Sequence, residues 1–156
     1  MNLQTAVAGL FGAVALAACG HGHHEHGHHH DSPVGEPGDA KSVTRTIEVL
    51  MTDNMRFAPA QITVRQGETV RFLVRNAGQV KHEMVLGSMK ELKEHAEQMK
   101  KHPEMEHDEP NQAVADPGKT AQMIWRFSKA GEFDFACLQP GHFEAGMLGK
   151  VRVEPK

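Results

Sequence analysis

From Val43 onward the chain alternates apolar and polar residues with period two, and one stretch with a helical period interrupts the pattern. A period of two places successive side chains on opposite faces of an extended strand, so it restricts the body to half-buried β-strands. Ile47, Val49 and Met51 share one face. Ile62 and Val64 follow a bend at Ala58-Pro59. Gln66-Gly67 turns the chain into Val70, Phe72 and Val74, with Arg71 and Arg75 opposite. After a turn at Asn76-Ala77-Gly78, His82, Met84 and Leu86 are in phase. Ala121, Met123, Trp125 and Phe127 form a later strand. Ala130-Gly131 then leads into Phe133, Phe135 and Cys137, and Val151 and Val153 mark the last strand. Short alternating strands with regular turn signals predict an all-β, antiparallel sandwich.

The interruption is residues 88–118. Ser88 and Glu91 fit a capping box. Met89, Leu92, Ala96 and Met99 recur at helical spacing, and Pro103 ends the run. Residues 103–118 read as a polar loop. This segment looks like a helical and loop insertion in a domain spanning 42–156. What remains without it is a small sandwich, to which a bound metal would contribute stability.

The front of the chain reads as an address. Residues 1–18 carry no charged side chain, and a short apolar run ends in Leu16-Ala17-Ala18-Cys19. The run is too short for a membrane span but fits a signal-peptide core. The ending resembles a lipobox, which implies that Cys19 is lipidated and becomes the mature N-terminus. Cleavage after Ala17 is the other reading. The lack of Lys or Arg ahead of the apolar run departs from the signal pattern. Export to the periplasm or cell envelope is expected on either reading, with the membrane contacted only through a lipid anchor.

Residues 19–41 follow as a tether of Gly, Pro and His without apolar periodicity. Of the 12 histidines in the chain, seven lie here: His21, His23, His24, His26, His28, His29 and His30. Neutral imidazoles at this density suit divalent copper best among common divalent metals. The net charge of -3 gives no electrostatic footprint for nucleic acid.

The chain has two cysteines. If Cys19 carries lipid, Cys137 has no partner in the chain, and an unpaired thiol in an oxidising compartment needs an occupant. Cys137 ends a strand. His142 follows five residues later and Met147 five after that, on a loop whose Pro140, Gly141 and Gly146 permit tight turns. Such a loop can present a thiolate, an imidazole and a thioether to one point. His82 is the only other in-phase histidine on an expected strand. Two His, one Cys and a weak axial Met form a type 1 blue-copper site. Zinc suits the set less well, because structural zinc favours more thiolates and avoids Met. A Cys–His nucleophile would need an orienting group and an oxyanion hole, and neither is suggested. A binuclear copper centre needs a second nearby cysteine. His-x-His pairs occur only in the tail.

With these residues in view, the chain resembles the cupredoxin family over about residues 43–156, apart from the insertion. The carrying motifs are Phe57-x-Pro59-x-x-Ile62-x-Val64-x-x-Gly67-x-x-Val70-x-Phe72, then Val80-Lys81-His82-Glu83-Met84, then the Cys137…His142…Met147 loop. The His-rich leader and Met/His-rich insertion are most similar to periplasmic cupredoxins of bacterial copper tolerance. The resemblance implies a Greek-key β-sandwich with His82, Cys137, His142 and Met147 as copper ligands. It also implies one-electron Cu(I)/Cu(II) chemistry and a role in copper tolerance. A dedicated electron carrier and a copper metallochaperone are the rival readings, and the protein partner would be a redox or copper-handling protein. No enzyme is expected, since the implied site has no open coordination position. In the insertion, His95 and Met99 lie side by side at i, i+4. His95, Met99, His102, Met105 and His107 are candidates for auxiliary copper, with packing the competing role for Met89 and Met99.

Overall fold

In a computed structural model, residues 32–102 and 109–156 are described. Ten strands form two five-stranded sheets. One sheet runs in the order β1 (Glu36–Pro37), β8 (Thr120–Arg126), β5 (Thr69–Asn76), β2 (Arg45–Thr52), β3 (Arg56–Ala58). The other runs β4 (Gln61–Arg65), β10 (Leu148–Glu154), β9 (Gly131–Ala136), β6 (His82–Gly87), β7 (Gln112–Ala115). The chain crosses between the sheets after β3, β4, β5, β7 and β8, which gives the sandwich its long-range connectivity.

The in-phase residues face inward as period two demands. Val49, Met51, Ile62, Val64, Val70, Phe72, Val74, Met84, Leu86, Met123, Trp125, Phe127, Phe135, Val151 and Val153 make one buried core. Edge-to-face aromatic pairs, Phe57 on Phe135 at 5.0 Å and Phe72 on Phe127 at 6.2 Å, lie within it. The α-helix α1 (Met89–Lys101) starts on the expected capping box. Ser88 Oγ accepts from Glu91 N–H, and Glu91 Oε2 accepts from Ser88 N–H at 2.8 Å. Leu92, Ala96 and Met99 bury the helix against Val85, Ala136 and Leu138 on the outer face of the second sheet. No helix among the described residues is long and apolar enough to cross a membrane.

Three expectations are corrected. The sandwich is mixed, not wholly antiparallel, because β2 pairs β5 and β10 pairs β4 in parallel. The crossovers return the chain in the same direction, and alternation carries no information about direction. The expected polar loop contains β7, which pairs antiparallel with β6 and buries Ala113 and Ala115. The inward alanines bury too little area to mark a strand, and the larger apolar residue between them, Val114, is exposed. Finally, the tether ends before residue 41. Val34 is fully buried, Trp125 Nε1 donates to its carbonyl at 3.4 Å, and Glu36 and Pro37 pair with Arg126 and Trp125. One apolar residue and the edge of β8 suffice to dock this segment.

On β10, Gly149 lies opposite Phe135, and a Cβ there would meet the ring at 2.1 Å. The ring is fully buried and clamped by Phe57, so it cannot move aside. Gly149→Ala is expected to cost about 1–3 kcal/mol by overpacking. Thermal unfolding checks this, and an unchanged midpoint would contradict it.

Candidate metal centre

The site is assembled at one end of the second sheet. His82 opens β6 and is held from both sides. Its backbone pairs with Ala115 on β7, and the loop before it is fixed by the fully buried Asn76. Asn76 donates to the carbonyls of Val80 at 2.8 Å and Ala115 at 2.9 Å, and its Oδ1 accepts from Gly78 N–H. Cys137 follows β9 directly and is fully buried. The loop from Cys137 to β10 is closed by its own backbone. Cys137 N–H donates to Met147 at 3.1 Å, Met147 N–H to His142 at 3.0 Å, and His142 N–H to Gln139 at 2.9 Å. Gly141 and Gly146 take positive φ of 84° in these turns. Arg56 on β3 donates to the Ala145 and Gly146 carbonyls from outside.

These constraints bring three donors to one point. Cys137 Sγ lies 3.2 Å from His142 Nδ1 and 3.9 Å from His82 Nδ1. The donor atoms of the three residues all lie within 4.8 Å of one another, the one such group of three or more His, Cys, Asp or Glu among the described residues. The two imidazoles are 4.8 Å apart, centre to centre. His82 is fully buried and His142 partly so, which leaves the second imidazole as the side nearer solvent. Met147 is fully buried beside Cys137 in the same apolar core. A soft thiolate and two imidazoles with a buried thioether nearby form a donor set that fits copper.

Burial sets the protonation of the donors. Burial pushes the Cys137 thiol up to about 12, against the opposing pull of N–H groups from Glu83 and Gln139. Burial also lowers the His142 pKa, with His82 a smaller contributor. Asp53 is held below its ordinary carboxylate value, first by Gln79 N–H and then by His82.

Two carboxylates in this shell escaped the sequence reading. Asp53 Oδ1 lies 3.0 Å from His82 Nε2, which directs Nδ1 towards the thiol. Glu83 is 1% exposed, and its backbone N–H donates to Cys137 Sγ at 3.4 Å. Its carboxylate accepts from Leu138 N–H, Gln112 Nε2 and Gln139 Nε2. Asp53 lies 29 residues from His82 and carries no spacing signal. Glu83 is out of phase with His82 and reads as solvent-facing. The out-of-phase apolar pair Val85 and Ala136 was the available sign that this outer face is covered.

The auxiliary candidates fare differently. Met99 is buried in the helix–sheet contact, so it packs instead of facing solvent as a ligand. His95 is half-buried on α1, and His102 is the exposed C-cap of that helix. Met105 and His107 lie outside the described residues, as do Cys19, His21, His23, His24, His26, His28, His29 and His30.

Comparison with known proteins decides the family. The model for copper binding proteins of the plastocyanin/azurin family matches residues 43–154. The chain belongs to that family. It is a copper-binding cupredoxin. It is 51% identical to a copper-resistant cuproprotein CopI of Rubrivivax gelatinosus, over 94% of this chain and 92% of the relative. It is 35% identical to a CopI of Pseudomonas aeruginosa, over 94% and 91% of the two chains. Among solved structures it is similar to auracyanin B, with a TM-score of 0.66 at 23% identity over 80% of this chain and 99% of the other. Auracyanin A of Chloroflexus aurantiacus gives 0.60 at 26% identity, over 70% and 98%. The cupredoxin sandwich expected from the sequence is thus the observed fold.

The raised thiol pKa makes a prediction. With a pKa of about 12, Cys137 is a protonated thiol at neutral pH, whereas a metal ligand must be the thiolate. His142, with its lowered pKa, is neutral there and has no proton to give. Copper binding at pH 7.5 should therefore release about one proton from Cys137. Calorimetry in buffers of different ionisation enthalpy measures it. Release that persists unchanged in Cys137→Ser would contradict the assignment.

Proposed function

We propose that this cupredoxin is an exported type 1 copper protein of copper tolerance, with His82, Cys137, His142 and Met147 as its ligands. The observation that carries the reading is the convergence of two Nδ1 atoms and one buried Sγ. The name that the two relatives carry, copper-resistant cuproprotein, supports the physiological half. Copper bound there would supply one-electron Cu(I)/Cu(II) exchange. The chain's own residues hold the donors in place before metal arrives, exclude water with Phe135 and Met147, and leave His142 nearest the surface. With four ligands filling the site, no position is left for a substrate, which supports a non-enzymatic role.

The leader and the His-rich segment complete the proposal. Residues 1–18 address the chain to the bacterial envelope, and Cys19 anchors it through lipid. The seven tail histidines, with His95, His102, Met105 and His107, capture further copper. A tether loaded with imidazole serves capture and adds nothing to a simple electron carrier, and so it favours tolerance over the carrier and chaperone readings.

Two outcomes test this reading. Protein loaded with Cu(II) should show intense visible absorption from thiolate-to-copper charge transfer, and Cys137→Ser should abolish it; a colourless wild-type Cu(II) form would sink the site. Deletion of the gene should lower growth on copper plates while respiration is normal. Normal copper tolerance with a respiratory or photosynthetic defect would instead favour the electron carrier.

A further inference from the structure

Asp53 and Glu83 place two carboxylates beside the metal centre. Asp53 meets His82 at Nε2, the nitrogen that faces away from the thiol. Glu83 touches the thiol through its backbone N–H and governs the start of the ligand loop through its side chain. All three donors to the Glu83 carboxylate are neutral amides, two from Gln side chains and one from Leu138 N–H. No Lys or Arg among the described residues forms an ion pair with Glu83 or Asp53. Glu83 therefore has no ion-pair partner among the described residues, and the one partner of this kind that Asp53 has is the His82 imidazole.

The sequence also makes room for Asp53. A Cβ on Gly78 would fall 1.8 Å from Asp53 Oδ1, the oxygen that meets His82. Gly78 does not have the positive φ that would itself favour glycine. What the missing side chain provides at this position is close approach of the carboxylate. Gln79 and Val80 N–H groups then hold Asp53 there, Gln79 at 2.7 Å. Glu83 is built in with equal care. Its Oε1 accepts from the ligand loop at Leu138, and its Oε2 joins Gln112 on β7 to Gln139 on that loop.

We propose that Asp53 and Glu83 are positioning residues whose two negative charges bias the copper site towards Cu(II) over Cu(I). The inference rests on the copper-site reading above. Glu83 is buried, and a dry environment screens its charge poorly, so it stabilises a doubly charged ion more than a singly charged one; Asp53, whose side chain is 39% exposed, acts mainly through the His82 ring. A carboxylate on the far nitrogen of a ligating imidazole also raises the basicity of that ligand, with the same sign. Neutral amides in these places would retain much of the hydrogen-bond frame and lose the charge. For Glu83→Gln, rotation of the Gln112 or Gln139 amide supplies the acceptor that the new amide needs.

The test uses the full copper-loaded chain with Asp53→Asn, Glu83→Gln, the double variant and Gly78→Ala. Cu(I) and Cu(II) dissociation constants are measured by competition, and the reduction potential by redox titration of the visible band. Asp53→Asn, at a partly exposed carboxylate, should raise the preference for Cu(I) by a smaller factor, and Glu83→Gln should raise it about tenfold or more. For one electron that is 59 mV or more in potential. The double variant should combine the two shifts. Gly78→Ala should move the ratio the same way in the wild type and do nothing further in the Asp53→Asn background. A merely structural role would weaken both oxidation states equally and leave the ratio unchanged. That result, with the charge-transfer band intact, would overturn the proposal and leave the copper site standing. A wild-type protein without the band would overturn the site itself.

Discussion

The copper centre depends on how the backbone closes the loop between β9 and β10. Cys137 N–H reaches the Met147 carbonyl, and Met147 N–H reaches that of His142, so the three loop residues are tied before any metal is present. β9 and β10 are antiparallel neighbours, and their register continues outward from Ala136 opposite Leu148. The sheet therefore decides where the loop begins and ends, and the two glycine turns decide its path. The loop carries Cys137, His142 and Met147, three of the four proposed ligands, and the fourth, His82, arrives on β6, the other neighbour of β9. A metal binding such a site orders little of the chain, so most of its binding free energy is retained.

The surroundings extend this preorganisation outward. Asn76 fixes the turn into His82, Asp53 fixes the ring, and Arg56 holds the loop carbonyls before Met147. Helix α1 seals the outer face of β6 and of the Ala136 end of β9, and β6 is buried along its whole length. That cover explains how a carboxylate comes to be buried at Glu83. The insertion thus has a structural part, a helix and an added edge strand, whatever its remaining residues bind. The exposed Lys100–Glu144 pair between helix and loop, at 2.6 Å, adds little energy in water but marks their adjacency.

Much of this was legible in the sequence. Strand phases named the core because each strand buries one face, and the same parity put His82, Cys137 and Met147 inside. The capping box and helical period located α1. The illegible features share one cause: their signals are tertiary. β7 and the segment at Val34 bury few apolar atoms each, and parallel pairing leaves no mark on alternation. Asp53 depends on a contact between two turns, and Glu83 on a helix packed over a face that period two assigns to solvent.

The central claim is that the chain presents one thiolate and two imidazoles to copper in an arrangement that the oxidation state does not remake. X-ray absorption at the copper edge tests it most directly, on protein loaded at one equivalent without the His-rich segment and measured before and after reduction. The account predicts one short copper–sulfur bond and two copper–nitrogen bonds, with the inner shell nearly unchanged between the two states. A shell of nitrogen and oxygen alone, or loss of an imidazole on reduction, would contradict it.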